Sequence, residues 1–318
     1  MKLGVFDPIY NRLDLDPMLA RIADLGLEAV EFGCGNYPGD RHCRPAELLA
    51  EPARLAQFRD AVDRHGLIIS ALSCHGNPVH PDPERAAHDD RVFRDTVRLA
   101  AELGVSTVNL FSGNPGDGPE ARHPNWVTCT WPPEYAAVLR WQWEEVLIPY
   151  WTGAGAFATG HGVRLAFEMH PGFAVYNPRT LLRLRGEIGP VIGANMDPSH
   201  LFWQGIDPIL AIRQLADAIY HVDAKDTLLD PHLIASNGVL DVPPQDAGSE
   251  RPWFFRSVGD GHDLLFWKRF VGALRLAGYD GVISIEHEDA LASTDEGIDR
   301  AIATLRAAIL TDPPTASW

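Results

Sequence analysis

The chain has 318 residues, of which 46% are hydrophobic and 22% charged, proportions of a globular protein that exclude disorder over most of its length. Its 43 acidic against 27 basic residues give a formal net charge of −16 with no long Lys/Arg cluster, which argues against nucleic acid as a partner. No apolar run reaches the roughly 20 residues of a membrane span, no signal-peptide pattern follows Met1-Lys2, and Cys34, Cys43, Cys74 and Cys129 form no C-x-x-C pair, so the expectation is a cytoplasmic protein with reduced thiols and no membrane association.

In chain order, a strand at Leu3–Phe6 is followed by a repeating phrase of amphipathic helix, glycine and short apolar strand. The phrase runs through Gly26 into Glu28–Phe32, through Gly66 into Leu67–Leu72 and through Gly104 into Ser106–Phe111. It continues through Gly162 into Val163–Glu168, and returns at Gly278–Gly281 before Val282–Glu286. Strands at Val191–Met196 and Ala218–Asp223 bring the total to eight. Helical patterns separate them at 17–25, 45–65, 83–103, 133–157, 179–188, 207–217, 263–277 and 294–310. Strands that alternate with helices imply a parallel sheet, because every parallel pair needs a crossover. Eight such units in this length predict an α/β fold, a single (β/α)8 TIM barrel spanning residues 1–318. The glycine-rich 113–118 stretch has no helix behind it, and no G-x-G-x-x-G follows a strand, which argues against a dinucleotide cradle.

The long connections are those after strands 2, 4 and 7, over residues 33–44, 112–132 and 225–262. Barrels of this type build their sites from such loops, and these three suggest a rim or lid over a polar pocket. Trp126, Trp131, Trp141, Trp143 and Trp151 crowd the second loop and its helix, and read equally as a subunit contact, a lid or core.

Four consecutive strands of the second half end in acids: Glu168, Asp197, Asp223 and Glu286. Alternation along a strand directs Ala166/Glu168/His170, Asn195/Asp197, His221/Asp223 and Ser284/Glu286 toward the barrel interior. One acid at a strand end is ordinarily a helix cap, and Asp197-Pro198 or Asp226-Thr227 taken alone read that way. Four in register would repel one another unless a cation sat among them. An oxygen-only shell favours one hard divalent ion, Mg²⁺ or Mn²⁺.

Phe167-Glu168-Met169-His170, Asp197-Pro198-Ser199-His200, His221-Val222-Asp223-Ala224-Lys225-Asp226, Gly259-Asp260-Gly261-His262 and Gly281–Glu286 resemble the xylose-isomerase-like TIM barrels. That sugar phosphate isomerase/epimerase group also contains tagatose 3-epimerase, inosose dehydratase and endonuclease IV. The resemblance covers nearly the whole chain. It implies one divalent ion held by Glu168, Asp197, position 223 and Glu286, with Asp223 standing where many members carry His. His221, one inward step deeper, is then an outer partner that supports a ligand rather than a ligand itself. The resemblance further implies that Glu168 and Glu286 flank the substrate's α-carbon, one removing a proton and the other returning it. His200 matches a histidine that holds a substrate oxygen, and His170, Lys225, Arg256 and His75 are further candidate substrate contacts.

The expected function is a metal-dependent sugar or keto-sugar isomerase or epimerase, in which the metal stabilises an enediolate formed next to a carbonyl. The alternative is a lyase or dehydratase that uses the same first step to expel a β-substituent from a keto-polyol or oxidised glycoside. A non-catalytic sugar-binding barrel would leave the Glu168/Glu286 pair idle. Endonuclease activity is disfavoured by the charge and by the lack of the extra histidines of a three-zinc site. The expected partner is a small sugar or polyol, with a homo-oligomer open.

Overall fold

The computed structural model describes residues 1–241, 243, 248 and 250–313. Among the described residues ten strands run in chain order: β1 Lys2–Phe6, β2 Ala29–Gly33, β3 Ile68–Ser73, β4 Thr107–Leu110, β5 Arg164–Glu168, β6 Ile192–Met196, β7 Ile219–Ala224, β8 Asp226–Leu229, β9 Trp253–Arg256 and β10 Val282–Ile285. β1 to β7 and β10 close into a parallel barrel, while β8 and β9 pair separately as an antiparallel hairpin. This is the expected (β/α)8 barrel, and all eight barrel strands overlap the segments predicted for them.

Local chemistry explains the helix boundaries. Asp82, Asp207 and Asp230 each precede a proline and accept hydrogen bonds from backbone N–H groups of the first turn, so cap and helix start coincide. Gly104 ends the 83–103 helix at φ +72°, a left-handed position where a side chain would be strained. The helix expected over 45–65 is broken at Glu51, which is extended at φ −127°, because the following Pro52 disfavours helical backbone before it. The helix expected over 133–157 widens into a π turn at Gln142–Leu147, just ahead of Pro149, which lacks the N–H that a regular helix would use there.

Outside the barrel the core is aromatic and aliphatic. Trp151 lies edge-on to Phe167 at 4.7 Å and donates from Nε1 to the Ser112 carbonyl at 3.0 Å. Trp143 is also buried, whereas Trp131 is 73% exposed, so these tryptophans divide between core and surface. The inside of the barrel differs. Glu31, Ser73, Asn109, Asn195, His221, Asp223 and Ser284 are all buried there, a polar layer where many barrels pack branched aliphatics.

The connection expected as a loop over 225–262 carries β8, β9 and a helix at Pro231–Asn237, and part of it lies outside the described residues. Asp226 organises its return. Its Oδ2 accepts from the N–H groups of Gly259, Gly261 and His262 at 2.9–3.1 Å, and its Oδ1 accepts from Thr227 N at 2.8 Å. Among the described residues, no helix is long and apolar enough to cross a membrane.

Candidate active site

Register brings the acids together. In neighbouring strands Glu168 of β5 stands beside Asn195 of β6, Asn195 beside His221 of β7, and Asp223 of β7 beside Ser284 of β10. Glu286 follows β10 directly. One donor atom each from Glu168, Asp223 and Glu286 lies within 4.8 Å of the other two.

Glu168 is buried between two imidazoles, with His200 Nε2 3.0 Å from Oε1 and His75 Nε2 3.0 Å from Oε2. Burial pushes its carboxyl up, but these two rings and the Lys225 ammonium outweigh burial and hold it well below the ordinary range. Burial likewise drives His200 and His170 down toward their neutral forms. Their rings approach each other at 4.0 Å between centroids.

Lys225 is buried, with Nζ 3.0 Å from Glu286, 3.3 Å from Asp197 and 3.8 Å from Glu288, and it lies 4.8 Å over the Phe255 ring. Desolvation lowers its pKa, yet the surrounding carboxylates raise it well above the usual value and keep it charged. Asp197 Oδ1 accepts from Ser199 N and its Oδ2 from Ser199 Oγ, both at 2.8 Å. Burial, only partly offset by Lys225, pushes the Asp197 carboxyl up to about 7.

The donor set fits a divalent cation. Burial raises the Glu286 and Asp223 carboxyls well above their ordinary values, the sign of too many buried carboxylates for the positive charge at hand. Glu286 Oε2 and Asp223 Oδ1 are buried and have no hydrogen-bond partner among the described residues. Hard oxygen donors left without partners in this way suit Mg²⁺ or Mn²⁺.

A cavity of about 450 Å³ opens over these groups and is walled by His75, His170, His200, Lys225, Glu286 and Glu288 on its polar side. Its apolar side includes Phe6, Tyr37 and Phe111, and Phe111 stacks on Phe173 at 4.2 Å. His75, His170, His200 and Lys225 thus meet at one mouth with Glu168 and Glu286. Arg256 stands apart from them: its guanidinium is committed to Asp289 and Asp260, each at 3.0 Å. Asp197 is near the cluster but bound to Ser199 and Lys225. Glu31 is the residue that the sequence reading passed over. A lone carboxylate within the otherwise apolar Ala29–Phe32, on a strand of a parallel sheet that should be apolar on both faces, is the signal that could have found it.

Asp289 supports the mouth from behind. Its Oδ2 accepts from Ser257 N and Ser257 Oγ, both at 2.8 Å, and from Arg256. Although burial pushes it up, these hydrogen bonds prevail and hold its carboxyl at about 2. A folded-state value below the unfolded value of roughly 3.9 gives stability that is present above about pH 4 and lost as pH falls toward 2. The stability difference between wild type and Asp289→Asn should therefore be full at pH 6 and shrink below pH 4. Denaturant titrations over that range check this, and a pH-independent difference would refute it.

A closed eight-stranded barrel with carboxylates and histidines gathered at one polar mouth is the architecture of the TIM-barrel class. The chain belongs to the xylose isomerase-like TIM barrel family, whose model matches residues 19–308. It is 38% identical over 312 residues to the uncharacterized protein YfiH of Bacillus subtilis (strain 168), covering 97% of this chain and 99% of that one. Among solved structures it is similar to a D-tagatose 3-epimerase-like protein, with 18% identity and a TM-score of 0.63 over 96% of this chain and 98% of that one. It is also similar to the probable 3-DHS dehydratase AsbF of Bacillus anthracis, with 16% identity and a TM-score of 0.63 over the same shares. At these identities the likeness to the solved structures is one of fold.

Proposed function

We propose that this protein is a divalent-metal-dependent isomerase or epimerase of a sugar or keto-sugar, acting by proton transfer next to a carbonyl. The observation that carries the reading is the meeting of Glu168 and Glu286 at one cavity, with Asp223 within reach of both. Glu168, Asp223 and Glu286 would hold the cation. Asp197 is proposed as the fourth ligand, in competition with the Lys225 ammonium 3.3 Å from it. When bound, the cation polarises a carbonyl and acidifies the adjacent C–H.

The protein's own groups do the rest. Glu168, kept anionic by its neighbours, takes the proton, and Glu286 on the far side returns one. The His75 and His200 rings fix the orientation of Glu168. Neutral His170 and His200 and the charged Lys225 hold substrate hydroxyl and carbonyl oxygens. The Phe111–Phe173 stack and Tyr37 form the apolar wall of the cavity against which the carbon skeleton of a substrate would lie.

A second reading is elimination from a keto-polyol or oxidised glycoside. It is favoured by one observation: a buried ammonium, Lys225, faces the same cavity and can protonate a departing oxygen. Incubation of the Mn²⁺-loaded protein with a panel of keto-sugars and oxidised glycosides in D₂O separates the outcomes. Deuterium at an α-carbon in an intact skeleton is the expected result. Deuterium exchange with loss of a substituent selects elimination instead. Failure of every substrate to exchange would overturn both.

A further inference from the structure

Below the outer acids, the barrel holds a second set of donors that the proposed reaction does not use. Glu31, in the middle of β2, is fully buried. Its Oε1 accepts from Ser73 Oγ at 2.5 Å and from Asn109 Nδ2 at 2.9 Å. Its Oε2 faces His221 Nε2 at 3.8 Å. Asp223 and Ser284 turn toward Glu31, and Asp223 Oδ1 lies 3.5 Å from His221 Nδ1, while His221 Nε2 is buried with no hydrogen-bond partner among the described residues. One donor atom each from Glu31, His221 and Asp223 lies within 4.8 Å of the other two.

An orphaned atom of this kind is expensive unless something satisfies it. The Glu31 and Asp223 carboxyls lie within hydrogen-bond reach of each other, an arrangement that two buried carboxyls hold only by sharing a proton, and a cation that displaces that proton would satisfy both and His221 Nε2 together. The imidazole is already oriented for the purpose. His221 Nδ1 lies 3.1 Å from both Asn195 Oδ1 and Asn109 Nδ2. Nδ1 faces one acceptor and one donor, so a cation at Nε2 would select the tautomer in which Nδ1 donates to Asn195 while Asn109 keeps its hydrogen bond to Glu31.

We propose that Glu31, His221 and Asp223 form a second, deeper divalent-cation site, with Asp223 shared between it and the outer site. One imidazole with two carboxylates favours borderline Zn²⁺, and among harder ions Mn²⁺ over Mg²⁺. Sharing through Asp223 rests on the outer site proposed above, whereas the deep site stands on its own three residues. His221 then becomes a ligand rather than a support for one.

Metal-stripped full-length protein titrated with Mn²⁺ alone, followed by calorimetry and electron paramagnetic resonance, tests this without an activity assay. Wild type should take two equivalents per chain and give the spectrum of an exchange-coupled pair. Glu31→Gln should lose one equivalent and leave an isolated Mn²⁺ signal, and Glu286→Gln should lose the other. His221→Asn provides a second deep-site variant, and circular dichroism confirms that each variant is folded. A single equivalent that survives Glu31→Gln and is lost in Glu286→Gln overturns the deep site and leaves the outer one standing. A single equivalent with the reverse pattern supports the deep site and overturns the outer one. Two equivalents unaffected by Glu31→Gln and His221→Asn overturn the assignment to these residues. No binding at all overturns both sites.

Discussion

Glu168→Gln should leave the barrel folded and lower turnover by about 10²–10⁴-fold at saturating metal, the usual cost of removing a general base. The amide matches the carboxylate in size, so the packing around His75 and His200 is retained. It cannot accept a proton, and it loses the attraction that now draws both imidazoles to within 3.0 Å. Glu286→Gln need not behave identically. If Glu168 removes the proton, its variant should lose C–H exchange in D₂O, whereas Glu286→Gln should keep exchange and lose net conversion. Normal turnover in both variants with metal saturated would leave the glutamates as ligands only and shift the search for the base to His170, His200 and Lys225.

The second large effect is expected at Asp223, which is buried, offers an unpartnered oxygen and sits among the donors of both carboxylate groups. Asp223→Ala should weaken metal binding by more than the 10–100-fold typical of outer partners that only orient a ligand. Its thermal shift on adding metal should vanish with it. A cation that binds only the folded form stabilises by RT ln(1 + [L]/Kd), about 2.7 kcal/mol when the ligand is at 100 times Kd. Wild type should show that shift on loading and lose it to chelator, while Asp223→Ala should melt at one temperature with or without metal. An unchanged Kd in the variant would remove Asp223 from the site altogether.

Both experiments probe residues that could be named before any coordinates. Glu168 and Glu286 close strands whose apolar runs and preceding glycines are legible in the chain, and two-residue alternation directs each side chain inward. Asp223 is marked by its place in His221–Asp226. Glu31 carries the same kind of signal, but a single carboxylate in a short strand has no local partner to draw attention to it. Only closure of the barrel brings β2 within reach of β7. A register irregularity opposite Val30 and Glu31 leaves Ser70 of β3 unpaired and sets Ala71 beside Glu31, with Ser73 two residues on bonded to it.

The amino-acid sequence therefore determined the eight strand–helix units and the four strand-end acids, because periodicity, caps and glycine stops act over a few residues. The tertiary structure decided which of those acids share a point in space. Lys225, readable only as a candidate substrate contact, is buried against Asp197 and Glu286. Arg256, readable as an anchor for substrate, is turned to Asp289 and Asp260 by the β8–β9 hairpin that carries it. Those outcomes depend on competition among charges brought together from distant parts of the chain. Burial makes such competition strong, and no local pattern encodes it.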